Sequence, residues 1–172
     1  MVSRIAITGP ESTGKSGLAE NLAKEYKCNW VPEFARIYLE KLDRPYSYDD
    51  VLEIAHGQIA SEDKALLSSG NFLFSDTECL VTKIWCDVKF GKCHEWIKQQ
   101  LDENPHDFYL LCDIDLPWEP DPLREHPHLR KYLFDIYLDE LKLRKLPFAV
   151  IAGIGNTRLQ CAIEAINMRF NA

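Results

Sequence analysis

Short apolar runs alternate with longer amphipathic stretches along most of the chain. Five runs have the length and composition of buried β-strands, and they cover residues 4–8, 28–31, 72–76, 108–112 and 148–151. Apolar positions at helical spacing predict helices at residues 17–26, 34–42, 49–67, 78–90, 94–101 and 128–144, and a last helix after residue 157. Because strands alternate with helices, with no repeat and no flexible linker, we expect one three-layer α/β domain with a parallel five-stranded sheet over residues 1–172.

A proline-rich segment at residues 117–130 interrupts this alternation, between the fourth strand and the helix that follows it. Prolines fix the backbone angle φ and lack an amide donor, so they favour a rigid loop over a helix or a strand. We therefore expect this segment to form a short lid.

Length and charge narrow the functional classes. At 172 residues and 46% apolar composition, the chain can bury a core without a disulfide or a metal. Acidic residues (27) outnumber basic ones (20), the net charge is -7, and the basic residues form no run. This balance disfavours nucleic acid and anionic membranes as partners and favours a small-molecule substrate. No apolar stretch reaches the roughly 18–20 residues of a membrane span and no signal peptide precedes the first strand, so we expect a cytoplasmic protein.

The six cysteines include no C-x-x-C pair, and several lie inside apolar runs. In that setting free thiols pack as small apolar groups. The spacing of Cys86, Cys93 and His94 fits no common zinc site. The cysteines are therefore expected to be reduced core residues.

The phosphate-binding pattern G-x-x-x-x-G-K-[ST] spans residues 9–16, between the first strand and the first helix. Its glycines let consecutive backbone N–H groups turn inward as an anion nest, and the start of the helix adds its positive dipole end. In this arrangement Lys15 reaches the β- and γ-phosphates of ATP and the Ser16 hydroxyl ligates Mg²⁺. The predicted ATP-binding residues of the loop are Gly9, Glu11, Ser12, Thr13, Gly14, Lys15, Ser16 and Gly17.

Two acidic residues follow buried strands, at the edge where a parallel sheet binds its ligands. Glu33 comes just after the second strand and Asp76 ends the third. A kinase that acts on an alcohol needs a carboxylate near the attacking hydroxyl, and a second carboxylate can serve Mg²⁺. We predict that both are catalytic and contact the substrate, with Asp76 also a candidate metal ligand beside Ser16, and the division of roles stays open. Arg36 either orients the substrate or pairs with Glu33.

Other polar residues are weaker candidates. Arg124 lies in the predicted lid, whose closure would bring its guanidinium to the transferred phosphoryl group, and Arg130 lies beside it as a second candidate for ATP. Asn156 follows the last strand, where it contacts the adenine or caps the last helix. Gln58 lies either toward the crevice or on an ordinary polar face of the long helix.

Four groups of residues together resemble the ribosylnicotinamide kinase domain of NadR-type bifunctional proteins, which belongs with the small AAA-like P-loop ATPases. They are the loop at residues 9–16, the run Pro32-Glu33-Phe34-Ala35-Arg36, the run Asp76-Thr77-Glu78 with Thr82 and Trp85, and residues 112–118 with Asp121 and Arg124. The resemblance implies transfer of the γ-phosphate of ATP to the 5′-hydroxyl of nicotinamide riboside, which yields nicotinamide mononucleotide in NAD salvage. It also implies the strand order 2-3-1-4-5.

The chain departs from that family in two respects. Met1 lies at the start of the kinase strand, so we expect neither the adenylyltransferase nor the DNA-binding activity of the bifunctional proteins. The family tends to have an aromatic residue just before the glutamate, where this chain has Pro32. Trp30, Phe34 or Trp118 could take its place against a pyridine ring, and Trp118 is our predicted substrate contact.

Two alternatives remain at this stage. A P-loop kinase for another nucleoside or small metabolite would use the same loop and carboxylates. An ATP-binding regulatory module would use the loop alone, and the pair Glu33 and Asp76 favours an enzyme over that second alternative.

Overall fold

The computed structural model describes residues 2–171. Its strands are β1 (Ser3–Thr8), β2 (Asn29–Val31), β3 (Phe72–Asp76), β4 (Phe108–Cys112) and β5 (Phe148–Ile151). Its helices are α1 (Lys15–Tyr26), α2 (Phe34–Leu39), α3 (Tyr48–Leu66), α4 (Cys79–Phe90), α5 (Glu95–Glu103), α6 (Arg130–Leu143) and α7 (Asn156–Phe170). The strands form one parallel sheet in the order β2-β3-β1-β4-β5, which confirms the predicted fold class and strand order.

The sheet is buried on both faces, as parallel sheets are when helices cover them. Ile5 and Ile7 of β1 pack on one side with α1 and α7, whereas Ala6 between them packs on the other side with α4 and α6. In the same way Leu110 of β4 faces the first side and Tyr109 the second. This alternation follows from the two-residue period of a strand, and it yields three layers.

At the start of α1 and at the end of α2, the difference from the sequence prediction has a local reason. Gly14 adopts left-handed angles and precedes α1, so the helix begins at Lys15 and holds Lys15 and Ser16 in its first turn. Helix α2 ends at Leu39 because the next amides, of Lys41 and Leu42, bond to carbonyls three residues back, in the tighter pattern of a 3₁₀ turn.

Residues 117–129 form neither helix nor strand and cross from β4 to α6, as the prolines predict. Within residues 2–171, no helix combines the length and the apolar composition that crossing a bilayer would require.

Candidate active site

The loop at residues 9–16 leaves β1 at the carboxyl edge of the sheet. Gly9 has φ of 131°, and a Cβ there would lie 3.0 Å from the carbonyl oxygen of Cys112 on the neighbouring strand. A side chain is therefore excluded by both backbone angle and space. Ser12 and Gly14 also have positive φ, at 57° and 73°. These angles curl the loop before the start of α1.

The side chain of Lys15 folds back across this loop. Its Nζ donates to the Pro10 carbonyl at 2.7 Å, and the Thr13 hydroxyl donates to the same carbonyl at 2.8 Å. The ammonium group is thus held over the loop by a backbone oxygen. A nucleotide phosphate is a stronger acceptor of that charged donor.

Glu33 and Asp76 lie at the ends of neighbouring strands, as predicted. Burial raises the pKa of the Glu33 carboxyl, Asp76 raises it further, and Lys15 and Arg36 act in the opposite direction. Burial likewise raises the pKa of Asp76, although Lys15, the Ser16 hydroxyl and Arg36 lower it. Both carboxylates therefore share the positive field of Lys15 in a poorly hydrated setting.

Asp76 and Ser16 have the donor set that Mg²⁺ prefers. Asp76 is 1% exposed, and among the described residues its Oδ1 atom has no hydrogen-bond partner. Its carboxylate lies close enough to the Ser16 hydroxyl for that group to affect its pKa. A carboxylate and a hydroxyl are hard oxygen ligands, and a divalent cation would give the orphaned oxygen a partner. The residues present therefore fit the metal that the loop motif implies.

The 117–129 segment is attached to the loop tip through backbone groups. The Glu11 carboxylate accepts hydrogen bonds from the amides of Glu125 and His126 at 3.0–3.2 Å. The Ser12 hydroxyl accepts one from the Glu119 amide at 2.8 Å. Arg124 lines the same region, with its Nη1 atom 3.4 Å from the Ser12 hydroxyl. The segment thus covers the loop in this structure.

Arg36 bonds to this segment, whereas Arg130 bonds to the phosphate loop and to the chain just before the segment. The guanidinium of Arg130 donates hydrogen bonds to the carbonyl oxygens of Ser12, Ile114 and Leu116 at 2.7–3.0 Å. Arg36 pairs with Asp121 at 3.1 Å. The guanidinium of Arg36 therefore bonds to the 117–129 segment, and among the described residues it has no ion pair with Glu33.

A cavity of about 580 Å³ opens beside the loop. The loop residues 9–17, Glu33, Arg36, Thr77 and Arg124 line one part of it. An apolar and aromatic wall lines another part, and it consists of Ala35, Leu39, Leu42, Tyr46, Val81, Ile84, Trp85, Val88, Pro122, Leu123, Leu133 and Tyr137. The space has room for more than a phosphate group, because ligand pockets of drug-sized molecules begin at about 300 Å³.

Tyr46 and Trp85 form an aromatic corner in this wall. Their ring centroids lie 5.0 Å apart at 71°, and the Trp85 indole N–H donates to the Tyr46 hydroxyl at 3.1 Å. The sequence reasoning missed Tyr46 and noticed Trp85 only through the family resemblance. Trp85 belongs to an apolar helical stripe with Val81 and Val88, a spacing that core residues share, and Tyr46 lies in a loop without any periodic signal.

Four residues that the sequence suggested as ligand contacts lie outside the lining of this cavity. Trp118 is outside the cavity lining and has Arg130 over its ring at 6.0 Å. Asn156 is exposed at the first position of α7, also outside the lining. Trp30 packs against the core beneath the sheet, and the Phe34 ring packs on Gly57.

Comparisons with known proteins show what this chain is similar to. The trifunctional NAD biosynthesis/regulator protein NadR of Salmonella typhimurium is 30% identical over 129 residues, which cover 72% of this chain and 31% of the relative. The chain thus matches about a third of that protein's length.

Solved structures share the fold. A NadR protein in complex with NR superposes with a TM-score of 0.80 at 20% identity, over 99% of this chain and 52% of that one. A NadR protein in complex with NAD and AMP-PNP superposes at 0.78 and 20% identity, over 99% and 50%. A family model described as an AAA domain matches residues 4–158, from β1 and its phosphate loop to the first turn of α7. The chain therefore belongs to the AAA domain family, as a NadR-like member with the P-loop kinase fold.

Proposed function

We propose that this chain is a kinase that transfers the γ-phosphate of ATP to the 5′-hydroxyl of nicotinamide riboside, which yields nicotinamide mononucleotide. One observation carries the proposal: a single cavity is lined by the phosphate loop, by the carboxylate of Glu33 and by the aromatic corner of Tyr46 and Trp85. Such a cavity has a place for a triphosphate, a hydroxyl and a flat ring at once. The likeness to NadR proteins solved with NR and with AMP-PNP supports the same pair of ligands.

The donor phosphates would bind along residues 9–17. Backbone amides of the loop and the N-terminal end of α1 bind anionic oxygens, and Lys15 would exchange the Pro10 carbonyl for the β- and γ-phosphates. Ser16 and Asp76 would hold Mg²⁺, which offsets the negative charge of the phosphate oxygens when it is bound. Arg124, at the Ser12 hydroxyl, is close enough to the loop to donate to the transferred group.

The acceptor hydroxyl would lie within hydrogen-bond distance of the Glu33 carboxylate. We assign proton acceptance to Glu33 and metal binding to Asp76, because Glu33 lines the cavity whereas Asp76 lies buried near Ser16 with an oxygen that lacks a partner. The raised pKa of Glu33 supports this role, since a base works best when its pKa approaches the working pH.

The ring of the acceptor would pack against Tyr46 and Trp85, whose edge-to-face arrangement leaves apolar ring surface toward the cavity. Residues 117–130 would act as the lid that excludes water during transfer, and residues 1–172 would form one kinase domain. A mechanism of this type works mainly by positioning, because the transition state of phosphoryl transfer needs little covalent assistance.

The test is ADP release by the purified protein with Mg²⁺ and ATP, with and without nicotinamide riboside, together with the mass of the product. Ribonucleosides and deoxynucleosides run in parallel as acceptors. Lys15→Ala is expected to lower the rate by at least about 100-fold, the usual effect of removing a preorganised charge donor. Lys24→Ala changes an exposed lysine of the same helix, paired only with Glu20, and is the matched control.

Strong stimulation by nicotinamide riboside with a product of the mass of its monophosphate would support the proposal. Stimulation by another nucleoside alone would retain the kinase and overturn the acceptor. ADP release that no acceptor stimulates would favour a regulatory ATPase instead.

A further inference from the structure

Gln58 connects the two strand ends that carry Glu33 and Asp76. It lies in the middle of α3 and is 3% exposed. Its Oε1 atom accepts a hydrogen bond from the Phe34 amide at 2.9 Å, and its Nε2 atom donates to the Thr77 carbonyl at 3.3 Å. Phe34 directly follows Glu33, and Thr77 directly follows Asp76. One side chain therefore spans the turn after β2 and the turn after β3.

The side-chain amide of Gln58 satisfies both of these partners. The Phe34 N–H can only donate and the Thr77 carbonyl can only accept, so the side chain between them must offer one acceptor and one donor. A glutamate would keep the first bond and place a carboxylate oxygen against the carbonyl. A leucine of similar size would lose both bonds and leave two buried backbone groups without partners.

Each of the two turns needs such a restraint. The Phe34 amide belongs to the first turn of α2, where amides have no partner within the helix. Thr77 has φ of 68°, an unusual angle for a β-branched residue, and it is buried. Strained backbone of this kind persists only where the surroundings determine it.

Gly57, the residue before Gln58, lets α3 approach α2 closely enough for the hydrogen bond between Gln58 and the Phe34 amide. A Cβ at Gly57 would lie only 2.1 Å from the Phe34 ring, so the absence of a side chain lets α2 pack directly on α3. The adjacent pair Gly57 and Gln58 thus positions the start of α2 by packing and by a hydrogen bond.

We infer that Gln58 is a positioning residue, which sets the separation of Glu33 and Asp76 across the acceptor end of the cavity. This inference rests on the proposed function, in which the two carboxylates have different roles. Displacement of a catalytic group by about 1 Å can cost about 100-fold in rate, so a residue outside the cavity lining can control turnover.

The test compares Gln58→Leu and Gln58→Glu with two controls on the same helix. Ser61→Ala removes a hydroxyl that bonds only within α3, to the Gly57 carbonyl. Ile54→Val trims a buried residue of α3, one turn before Gln58, and lowers stability without removing either hydrogen bond of Gln58. For each protein we would measure kcat, the KM for ATP, the melting temperature, and hydrogen exchange of the peptide that contains the Phe34 amide.

Gln58→Leu is expected to lower kcat by about 10- to 100-fold, with the KM for ATP within about twofold of wild type, because the phosphate loop is not touched. Exchange of the Phe34 amide should accelerate. Gln58→Glu, which retains the acceptor for that amide, should slow turnover while exchange stays closer to wild type. Ser61→Ala and Ile54→Val should keep wild-type kcat, even where the melting temperature falls.

The inference is overturned if kcat of Gln58→Leu falls no further than kcat of Ile54→Val, or if exchange of the Phe34 amide does not change. A wild-type protein without acceptor-dependent ADP release would instead overturn the proposed function. In that case Gln58 is judged by hydrogen exchange of the Phe34 amide, which depends on the bond to Gln58 and not on an acceptor. Equal exchange in wild type and Gln58→Leu would then reject the positioning role.

Discussion

Glu33 and Asp76 carry the same charge, lie at the ends of neighbouring strands and both have a raised pKa, yet their surroundings differ. Glu33 lines the cavity, where Asp76 and Glu11 add negative field and Lys15 and Arg36 add positive field. Asp76 is buried and is close to the Ser16 hydroxyl. In the proposed mechanism, the environment of each residue, and not its type, therefore separates the base from the metal ligand.

Glu33→Gln and Asp76→Asn should separate these roles in kinetics. Glu33→Gln is expected to lower kcat by about 100-fold or more, the usual size of general-base catalysis, with little change in the Mg²⁺ concentration for half-maximal rate. Asp76→Asn should raise that Mg²⁺ concentration, because one ligand loses its charge. Glu20→Gln, at an exposed position of α1, is the control. The reverse pattern would exchange the two assignments.

The dependence of the rate on pH should also identify Glu33 as the base. The pKa of Glu33 is raised, and the protonated carboxyl cannot accept a proton, so the rate should fall with decreasing pH at a value above the ordinary glutamate pKa of about 4.3. This acidic limb should be missing from the residual activity of Glu33→Gln.

At the scale of elements, the connection from α2 to α3 brings Tyr46 to the cavity, and Asp50 holds that connection. Its carboxylate accepts hydrogen bonds from the Ser47 amide and hydroxyl at 2.6 and 2.7 Å, from Tyr38 at 2.8 Å and from Arg44 at 2.6–2.8 Å. Ser47 and Asp50 form the capping box of α3. The aromatic corner therefore depends on a helix cap that begins at the residue directly after Tyr46.

Asp50→Asn should lower the melting temperature at neutral pH. Arg44 and Ser47 hold the pKa of Asp50 well below its usual range, despite the opposing effect of burial. A depressed pKa means that this stabilisation is complete above the unfolded-state pKa of about 3.9 and is lost as pH falls below it. The difference in melting temperature between wild type and Asp50→Asn should therefore be largest near pH 6–7 and shrink below about pH 4. Asp63→Asn, at an exposed position of α3, should show no such trend, and a constant difference for Asp50→Asn would contradict the assignment.

The 117–129 segment shows how prolines and an acidic loop tip combine. Four residues of the segment are prolines and offer no amide. Three of the remaining amides, at Glu119, Glu125 and His126, donate to the side chains of Ser12 and Glu11. The segment is thus attached through its backbone to two of the four loop positions at which the phosphate-binding pattern accepts any residue.

At the scale of the whole molecule, residues far apart in the chain meet at one edge of the sheet. The site combines residues from four strand ends. Lys15 follows β1 and Glu33 follows β2, Asp76 is the last residue of β3, and Arg124 lies after β4. In an open parallel sheet the carboxyl ends of the strands face the ligand crevice, so topology alone brings these four side chains to the same side. A ligand bound there contacts most of the sheet.

Binding of Mg²⁺ and ATP should therefore stabilise the entire fold. At a nucleotide concentration of about 100 times Kd, linkage predicts about 2.7 kcal/mol, or roughly 5–10 °C in melting temperature for a chain of this size. Lys15→Ala should lose most of this shift, whereas Lys24→Ala should keep it. A wild-type protein whose melting temperature ignores the nucleotide would contradict the role of the loop, whatever the acceptor.

The sequence by itself determined the architecture and the phosphate end of the site. Five strands, the helices between them and the loop at residues 9–16 follow from local patterns, because apolar periodicity and glycine positions act over a few residues. The strand order came from the family resemblance, which the sheet confirms. The positions of Glu33 and Asp76 at strand ends were also predictable, since Glu33 lies two residues after a buried run and Asp76 is the last residue of one.

Only the tertiary structure decided how the acceptor end is built. Tyr46 and Trp85 meet across a loop and a helix separated by 39 positions, and Trp85 alone looks like a core residue. For Gln58 the sequence left open both the crevice and a polar face of α3, and its bonds to the turns after β2 and β3 form only when α3 packs against them. Arg130, which we predict to contact ATP, bonds to three backbone carbonyls in this structure, and no local pattern indicates these bonds. These relations depend on which surfaces meet when helices pack, and local sequence does not encode the approach of distant side chains.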